Sequence, residues 1–252
     1  MMDLEELKQK WIKEEKHAFK GWDFSYIEDR WDHEDLPWNY KNIVLKYLKE
    51  SDELLDMGTG GGEFLLSLNH PYRLTSVTEA YTPNVKLCKE KLSPLGIEVK
   101  QIFKDEDIPY KNNKFDIIIN RHEAYNAREV SRMIKSGGYF ITQQVGGKNN
   151  NDLSNKLLAD FSPKYPNHNL NNNIKSLKEN GFKIILSNEY FPKVKFYDIG
   201  ALVYFAKIIE WEFPNFSIDR CFDNLYELKK ELEQKGYVSG TEHRFLIVAK
   251  KL

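Results

Sequence analysis

LLDMGTGGGEFLL, residues 54–66, runs from a short apolar segment through a glycine-rich turn into a second apolar segment. The order is that of a buried strand, a turn and a helix. Glycines at such a turn let the backbone take positive φ and bring it close to a ligand with no Cβ in between. The turn follows the carboxyl end of a strand, the edge at which open α/β sheets bind ligands. Spacing excludes two nucleotide motifs. A dinucleotide fingerprint, G-x-G-x-x-G, needs a third glycine where Glu63 stands if counted from Gly58, or Leu65 if counted from Gly60. A phosphate-binding loop needs Gly-Lys-Ser/Thr after the turn, and none follows.

Outward from this stretch, short apolar runs alternate with helical periodicity, the pattern of a parallel sheet covered by helices. Seven strands are expected, at Glu53 to Met57, Arg73 to Thr78, Glu98 to Phe103, Phe115 to Asn120, Gly138 to Gln143, Phe182 to Phe191 and His243 to Lys250. Helices are expected at Glu63 to Asn69, Thr82 to Leu92, Ala124 to Met133, Leu153 to Asp160 and Asn172 to Asn180. Two more, Gly200 to Glu210 and Phe222 to Gly236, fill a long gap before the last strand and read as an insertion over residues 191–238. Ahead of the first strand, Leu4, Leu7, Trp11 and Ala18 recur at helical spacing, and a second helix is expected over Asn39 to Glu50. The stretch between them, GWDFSYIEDRWDHEDLPWNY, is crowded with aromatic and acidic residues and reads as a loop. The expected organisation is a helical and aromatic cap over residues 1–50 and one α/β domain over residues 51–252.

The chain has 252 residues and a formal net charge of −1, so it carries no excess positive field to hold a polyanion. No run of about 18 apolar residues is present to cross a bilayer. The charged amino terminus lacks an apolar signal region, and a cytoplasmic location is expected. Cys88 and Cys221 lack the spacing of a zinc or redox pair and are expected as packing residues. The six histidines show no ligand spacing, and no metal is expected.

Asp56-x-Gly58-x-Gly60-x-Gly62 resembles the first motif of the class I S-adenosylmethionine-dependent methyltransferases, and the methyltransferase type 11 group in particular. The resemblance continues in Val77-Thr78-Glu79-Ala80, in Lys104-Asp105-Glu106-Asp107-Ile108-Pro109-Tyr110, in FDIIINRHEAYN (115–126) and in Met133 through Phe140. It covers about residues 50 to 145. It implies a Rossmann-like fold, S-adenosylmethionine as cofactor, and methyl transfer as the reaction. It further implies that Gly58, Thr59 and Gly60 lie against the amino acid and ribose, that Asp56 supports the turn or the ammonium, and that Glu79, followed by Ala80, accepts the ribose hydroxyls. Asn120 would close the site at the end of the fourth strand. On that basis Glu79→Ala is expected to weaken cofactor binding and leave the fold intact. The adenine segment departs from the family pattern, because Lys104 and Asp105 stand where an acid and a small residue are usual. Asp105, with Glu106 beside it, is expected to take the adenine amino group; the alternative is recognition by backbone alone.

In this family the residues just past the fourth strand, here Arg121, His122 and Glu123, face the transferring methyl. Methyl transfer depends on orientation, and a base is needed only if the acceptor must lose a proton. His122 is the first candidate for that base, because the ordinary imidazole pKa is near neutrality. Glu123 and Arg121 are alternates as base and substrate anchor. The resemblance also implies that the aromatic amino-terminal segment, Trp22 to Tyr40, and the insertion, with Tyr197, Tyr204, Phe205, Trp211 and Phe213, cover the acceptor. The acidity of the first, with Asp23, Glu28, Asp29, Asp32, Glu34 and Asp35, repels phosphate. A small-molecule acceptor is therefore expected ahead of RNA or protein. An RNA-directed enzyme would need a basic rim, such as Lys193, Lys195 and Lys207. A third reading is a protein that binds S-adenosylmethionine without turnover.

Overall fold

The structure, a computed structural model, describes residues 3–19 and 24–252. Trp22 and Asp23 of the aromatic segment lie outside the described residues. The helices are α1 (Leu4–Glu15), α2 (Tyr40–Tyr47), α3 (Glu63–Ser67), α4 (Thr82–Lys91), α5 (Ala127–Met133), α6 (Asn151–Leu157), α7 (Leu170–Glu179), α8 (Ile199–Ile208) and α9 (Ile218–Lys235). The strands are β1 (Trp31–His33), β2 (Leu54–Met57), β3 (Thr75–Glu79), β4 (Glu98–Gln101), β5 (Phe115–Arg121), β6 (Ile134–Val145), β7 (Phe182–Tyr190), β8 (Lys193–Phe196), β9 (Val238–Thr241) and β10 (Arg244–Lys251). Two compact units share them.

The larger unit comprises residues 37–146, 168–189 and 244–252. Its seven-stranded sheet has the order β4-β3-β2-β5-β6-β10-β7. Strand β2 pairs in parallel with β3 and β5, β3 with β4, and β5 with β6, whereas β10 runs antiparallel to β6. This is the expected α/β fold, a seven-stranded mostly parallel sheet with helices on both faces. The period-2 alternation of each strand divides its apolar residues between two layers. Leu54, Ile117, Ile119, Ile141 and Leu246 face Val44 of α2, Leu65 of α3 and Cys88 of α4. Leu55, Ile118, Phe140 and Ile247 face Val130 of α5 and Leu177 of α7. All four residues of β2 are buried, and this strand delivers the chain to the glycine turn at the sheet's carboxyl edge.

The smaller unit comprises residues 1–36, 147–167 and 190–243. Its core gathers α1, α6, α8 and α9 with a three-stranded antiparallel sheet of order β1-β8-β9. Helix α8 is apolar all round, and eight of its ten residues are buried. Helix α9 instead buries one stripe, Ile218, Cys221, Leu225 and Leu228, at the 3–4 spacing of an amphipathic helix. The sequence reading of residues 21–40 as loop is corrected over residues 25–33, while residues 21–23 lie outside the described residues. Ser25–Arg30 is a 3-10 helix, and Trp31–His33 pairs with Val194–Phe196. A three-residue strand leaves no readable alternation, and it forms because a partner some 160 residues away supplies its hydrogen bonds. Segment 147–167 joins the same unit through α6, whose Leu153 and Leu157 enter its core. Among the described residues, no helix is long and apolar enough to cross a membrane.

Candidate functional site

The site is built at the carboxyl edge of β2, β3, β4 and β5. Gly58 N–H and Thr59 N–H both reach the Thr78 carbonyl, at 3.0 and 3.3 Å, and Gly62 N–H closes the turn on the Thr59 carbonyl at 3.1 Å. Gly58 sits at φ 69°, and a Cβ there would meet the Glu123 side chain at 2.5 Å, so both conformation and space require glycine. Gly60 sits at φ 62°, and a Cβ there would have no heavy atom within 4 Å. Open space lies beside it. From below, α4 holds the turn: the Cys88 thiol donates to the Gly60 carbonyl at 3.0 Å, and Lys91 donates to the Gly61 carbonyl at 3.2 Å. The thiol is buried and its pKa is pushed up to about 11 by that burial, with the nearby carboxylates adding to it.

Glu79 ends β3, buried at 5% exposure, and its carboxylate grips three backbone donors. One oxygen accepts from Gly60 N–H at 2.9 Å, and the other accepts from Ala80 and Tyr81 N–H at 2.9 and 3.0 Å. The carboxylate therefore holds the turn's shape as well as facing the site. The sequence reading, which assigned Glu79 to a ligand alone, missed this second role.

Three more acids stand around the turn without a cationic partner. Asp56, 5% exposed in the middle of β2's pairing, has its carboxyl pushed up to about 7 by burial; the Thr59 hydroxyl and Arg121 oppose the shift, and Glu79 adds to it. Glu123 is likewise pushed up to about 7 by burial, then by the charges of Glu79 and Asp105. Asp105, half-buried beyond β4, is raised by burial and by Glu106, which is exposed. Removal from water and mutual repulsion both favour the protonated forms.

Asn120, fully buried at the end of β5, accepts on its Oδ1 from Thr142 Oγ1 at 2.9 Å and from Gln144 Nε2 at 2.5 Å. Gln144 Nε2 also donates to the Glu123 carbonyl at 3.0 Å, and a carbonyl only accepts, which fixes that amide's orientation. The Asn120 Nδ2 donor is left buried with no partner. On the strand's other side, Trp38 Nε1 donates to Gln143 Oε1 at 2.8 Å, which turns Gln143 Nε2 toward His122 Nε2 at 3.0 Å. An indole N–H cannot accept, so Gln143 donates there, and His122 is neutral with its proton on Nδ1. His122 is exposed as a residue, yet desolvation of its imidazole, with Arg244 and Arg121, holds its pKa far down, at about 3. Arg121 lies over the Phe64 ring, 4.7 Å from its centroid.

The structure thus brings Asp56, Gly58, Thr59, Gly60, Glu79, Ala80, Asp105, Asn120, Arg121, His122 and Glu123 to one edge of one sheet. Two rings that the sequence reading did not assign to the site stand at the same edge, Tyr81 at 63% exposure and Phe103 at 82%. Each stands two residues past the strand end that the structure gives, whereas the apolar pattern alone counts Phe103 as part of its strand. Tyr40 is expected from sequence as a helix residue and as the last ring of the aromatic segment over the acceptor. Its hydroxyl is buried under the site, bonded to the Asn120 and Ile141 carbonyls at 3.0 and 3.1 Å, and burial raises its pKa further. No group of three metal-ligating side chains occurs among the described residues.

Comparison with known proteins bears on the fold that holds this edge. Residues 55–142, from β2 through most of β6, match the methyltransferase domain family. Two proteins of Methanocaldococcus jannaschii are similar in sequence. The chain is 32% identical to uncharacterized protein MJ1252 over 108 residues, 40% of either chain, so the match spans about two fifths of that relative. It is 26% identical to uncharacterized protein MJ0638 over 222 residues, 78% of this chain and 91% of that one. Among solved structures, the YcgJ protein of Bacillus subtilis superposes with a TM-score of 0.57 at 17% identity, covering 84% of this chain and 97% of that one. Geranyl diphosphate methyltransferase, solved with S-adenosylmethionine, gives a TM-score of 0.50 at 12% identity over 84% of each chain. At such identities the structural likeness carries the fold alone. Residues 55–142 are similar to the methyltransferase domain family, and the larger unit that holds them has a Rossmann-like fold.

Proposed function

We propose that the chain transfers the methyl group of S-adenosylmethionine to a small-molecule acceptor. One observation carries the reading: Asp56, Glu79, Asp105 and Glu123 surround a positive-φ glycine turn, and three of them lack a cationic partner. Such a site is short of positive charge and of hydrogen-bond donors. The residues fit the cofactor on this chain's own features. Gly60 has space where a side chain would intrude, and Asn120 Nδ2 is an unspent donor. Glu79 uses three of the roughly four lone-pair sites of a carboxylate. When bound, S-adenosylmethionine supplies a methyl activated by a sulfonium, together with an ammonium and a ribose diol.

In this reading Gly58, Thr59 and Gly60 carry the amino acid and ribose, Glu79 and Ala80 hold the diol end, and Asp105 with Glu106 borders the adenine. Phe103 and Tyr81 offer exposed faces for its stacking. For an acceptor that must lose a proton, Glu123 is the better base. Its pKa of about 7 suits proton transfer at neutral pH, whereas the His122 Nε2 lone pair already accepts from Gln143. Arg121 remains the candidate anchor for an anionic substituent of the acceptor.

A small acceptor is favoured over RNA by the formal net charge of −1, which gives the chain no excess positive field to hold a polyanion. Calorimetric titration of the purified protein with S-adenosylmethionine, S-adenosylhomocysteine and NAD tests the cofactor. Saturable binding of the first two without NAD is expected. Binding of NAD alone, or of none of the three, overturns the reading.

A further inference from the structure

The Glu123 side chain lies directly over the first glycine of the turn. A Cβ built on Gly58 would come within 2.5 Å of its Cγ, 2.6 Å of its Cβ and 3.1 Å of its Cδ. The chain is bent to put it there. His122, the residue before it, holds a left-handed φ of 62°, which costs about 1–3 kcal/mol for a residue with a side chain and persists only where neighbours enforce it. Two bonds enforce it: His122 N–H to the Gln143 carbonyl at 2.8 Å, and Gln144 Nε2 to the Glu123 carbonyl at 3.0 Å. The backbone is thus fastened on both sides of Glu123, while its carboxylate makes no hydrogen bond or ion pair among the described residues.

Two other acids of the same unit that are withdrawn from water are paired: Glu129 bonds Arg132 at 2.6 Å and Asp116 bonds Lys135 at 2.6 Å. A carboxylate withdrawn from water and positioned at structural cost, yet left unpaired, calls for a cation that the protein does not itself supply. The Gly58 turn is where the cofactor's amino acid half lies in the reading above, and that half carries a fixed positive charge on sulfur. Glu79 is already engaged with three N–H groups, and Asp56 is enclosed within the sheet. Glu123 is the unpaired acid that lies directly over Gly58.

We propose that Glu123 reads the charge on the cofactor's sulfur. It favours the sulfonium of S-adenosylmethionine over the neutral thioether of S-adenosylhomocysteine. The inference rests on the cofactor reading. Its consequence is that the product, having lost its charge on sulfur, loses this contact as the methyl leaves and is held less tightly than the donor.

The test is a set of titrations of wild type and Glu123→Gln with each of the two compounds. Wild type should prefer S-adenosylmethionine. Glu123→Gln should lose about tenfold or more in affinity for it, the scale of one charge-assisted contact, and keep its affinity for S-adenosylhomocysteine. An equal loss for both compounds would move Glu123 to a group they share, such as the ammonium. An equal gain would make it a mere obstruction of the turn. Either result, or no change, overturns the inference. Glu123→Ala carries the same expectation if the amide variant does not fold. Wild type that binds neither compound fails the cofactor reading itself. Wild type that binds both, with a variant that behaves identically, fails this inference alone.

Discussion

Arg30 and Asp56 stand in different units and show opposite ways of treating a buried charge. In the smaller unit, Arg30 is clamped between two acids. Its Nε donates to Asp198 Oδ2 at 2.7 Å, and one terminal nitrogen donates to Asp198 Oδ1 and Glu14 Oε1, each at 2.8 Å. Tyr26 adds a bond to Glu14 at 2.9 Å, and Asp198 also caps α8 by accepting from Ala201 N–H at 3.0 Å. Burial alone would raise the Asp198 carboxyl, but Arg30 and the cap outweigh it and hold it below its ordinary value. In the larger unit, Asp56, Glu123 and Asp105 have no such clamp, and all three are pushed up. Paired charge fastens α1, the 3-10 helix and α8 to one another. Unpaired acids gather at a glycine turn, where their burial weakens the fold.

Removing Glu79 would change most, because this acid belongs to both kinds. Glu79→Ala should weaken S-adenosylmethionine binding by roughly 1–3 kcal/mol through the lost acceptor. It should also lower stability, since Gly60, Ala80 and Tyr81 N–H lose their partner. Calorimetry and urea unfolding read the two losses separately. An affinity loss without a stability loss would leave the three backbone bonds without importance. Arg30→Met comes next and should cost about 1–3 kcal/mol of stability, discounted for the partial exposure of the clamp. Denaturant unfolding checks this, and a neutral result would reduce the clamp to surface decoration.

Asp56→Asn should give the smallest effect and the opposite sign. The folded-state pKa of about 7 lies above the ordinary 3.8, so between these values the folded chain holds the proton longer than the unfolded one. The stability contributed by this group therefore falls as pH rises from about 4 to about 7, and the cost is constant above that. The asparagine variant should flatten that fall and raise Tm above pH 7, read by a Tm-against-pH series. An unchanged slope would mean that Asp56 ionises freely.

Much of this was readable from residue order. Strand and helix positions across residues 50–145 follow from apolar runs broken by turn residues, and the glycine pattern with Glu79 led to the edge where the site stands. Boundaries shifted by a few residues where capping decided them. Asn126, whose side chain accepts from Arg128 and Glu129 N–H, starts α5 three residues later than the apolar pattern suggests. Strands β1, β8 and β9 were not legible, because three or four residues show no period and each forms by pairing across long stretches of chain.

By itself the sequence determined the sheet, the turn and the acids that surround it, since alternation, glycine spacing and strand ends are local properties carried by neighbours in the chain. Tertiary structure alone decided which of those acids is paired and which is not. It placed Arg30 between Glu14 and Asp198, engaged the His122 lone pair through Gln143 and Trp38, and left Glu123 open above Gly58. Charge state depends on burial and on partners distant in sequence, and neither is written in the order of residues.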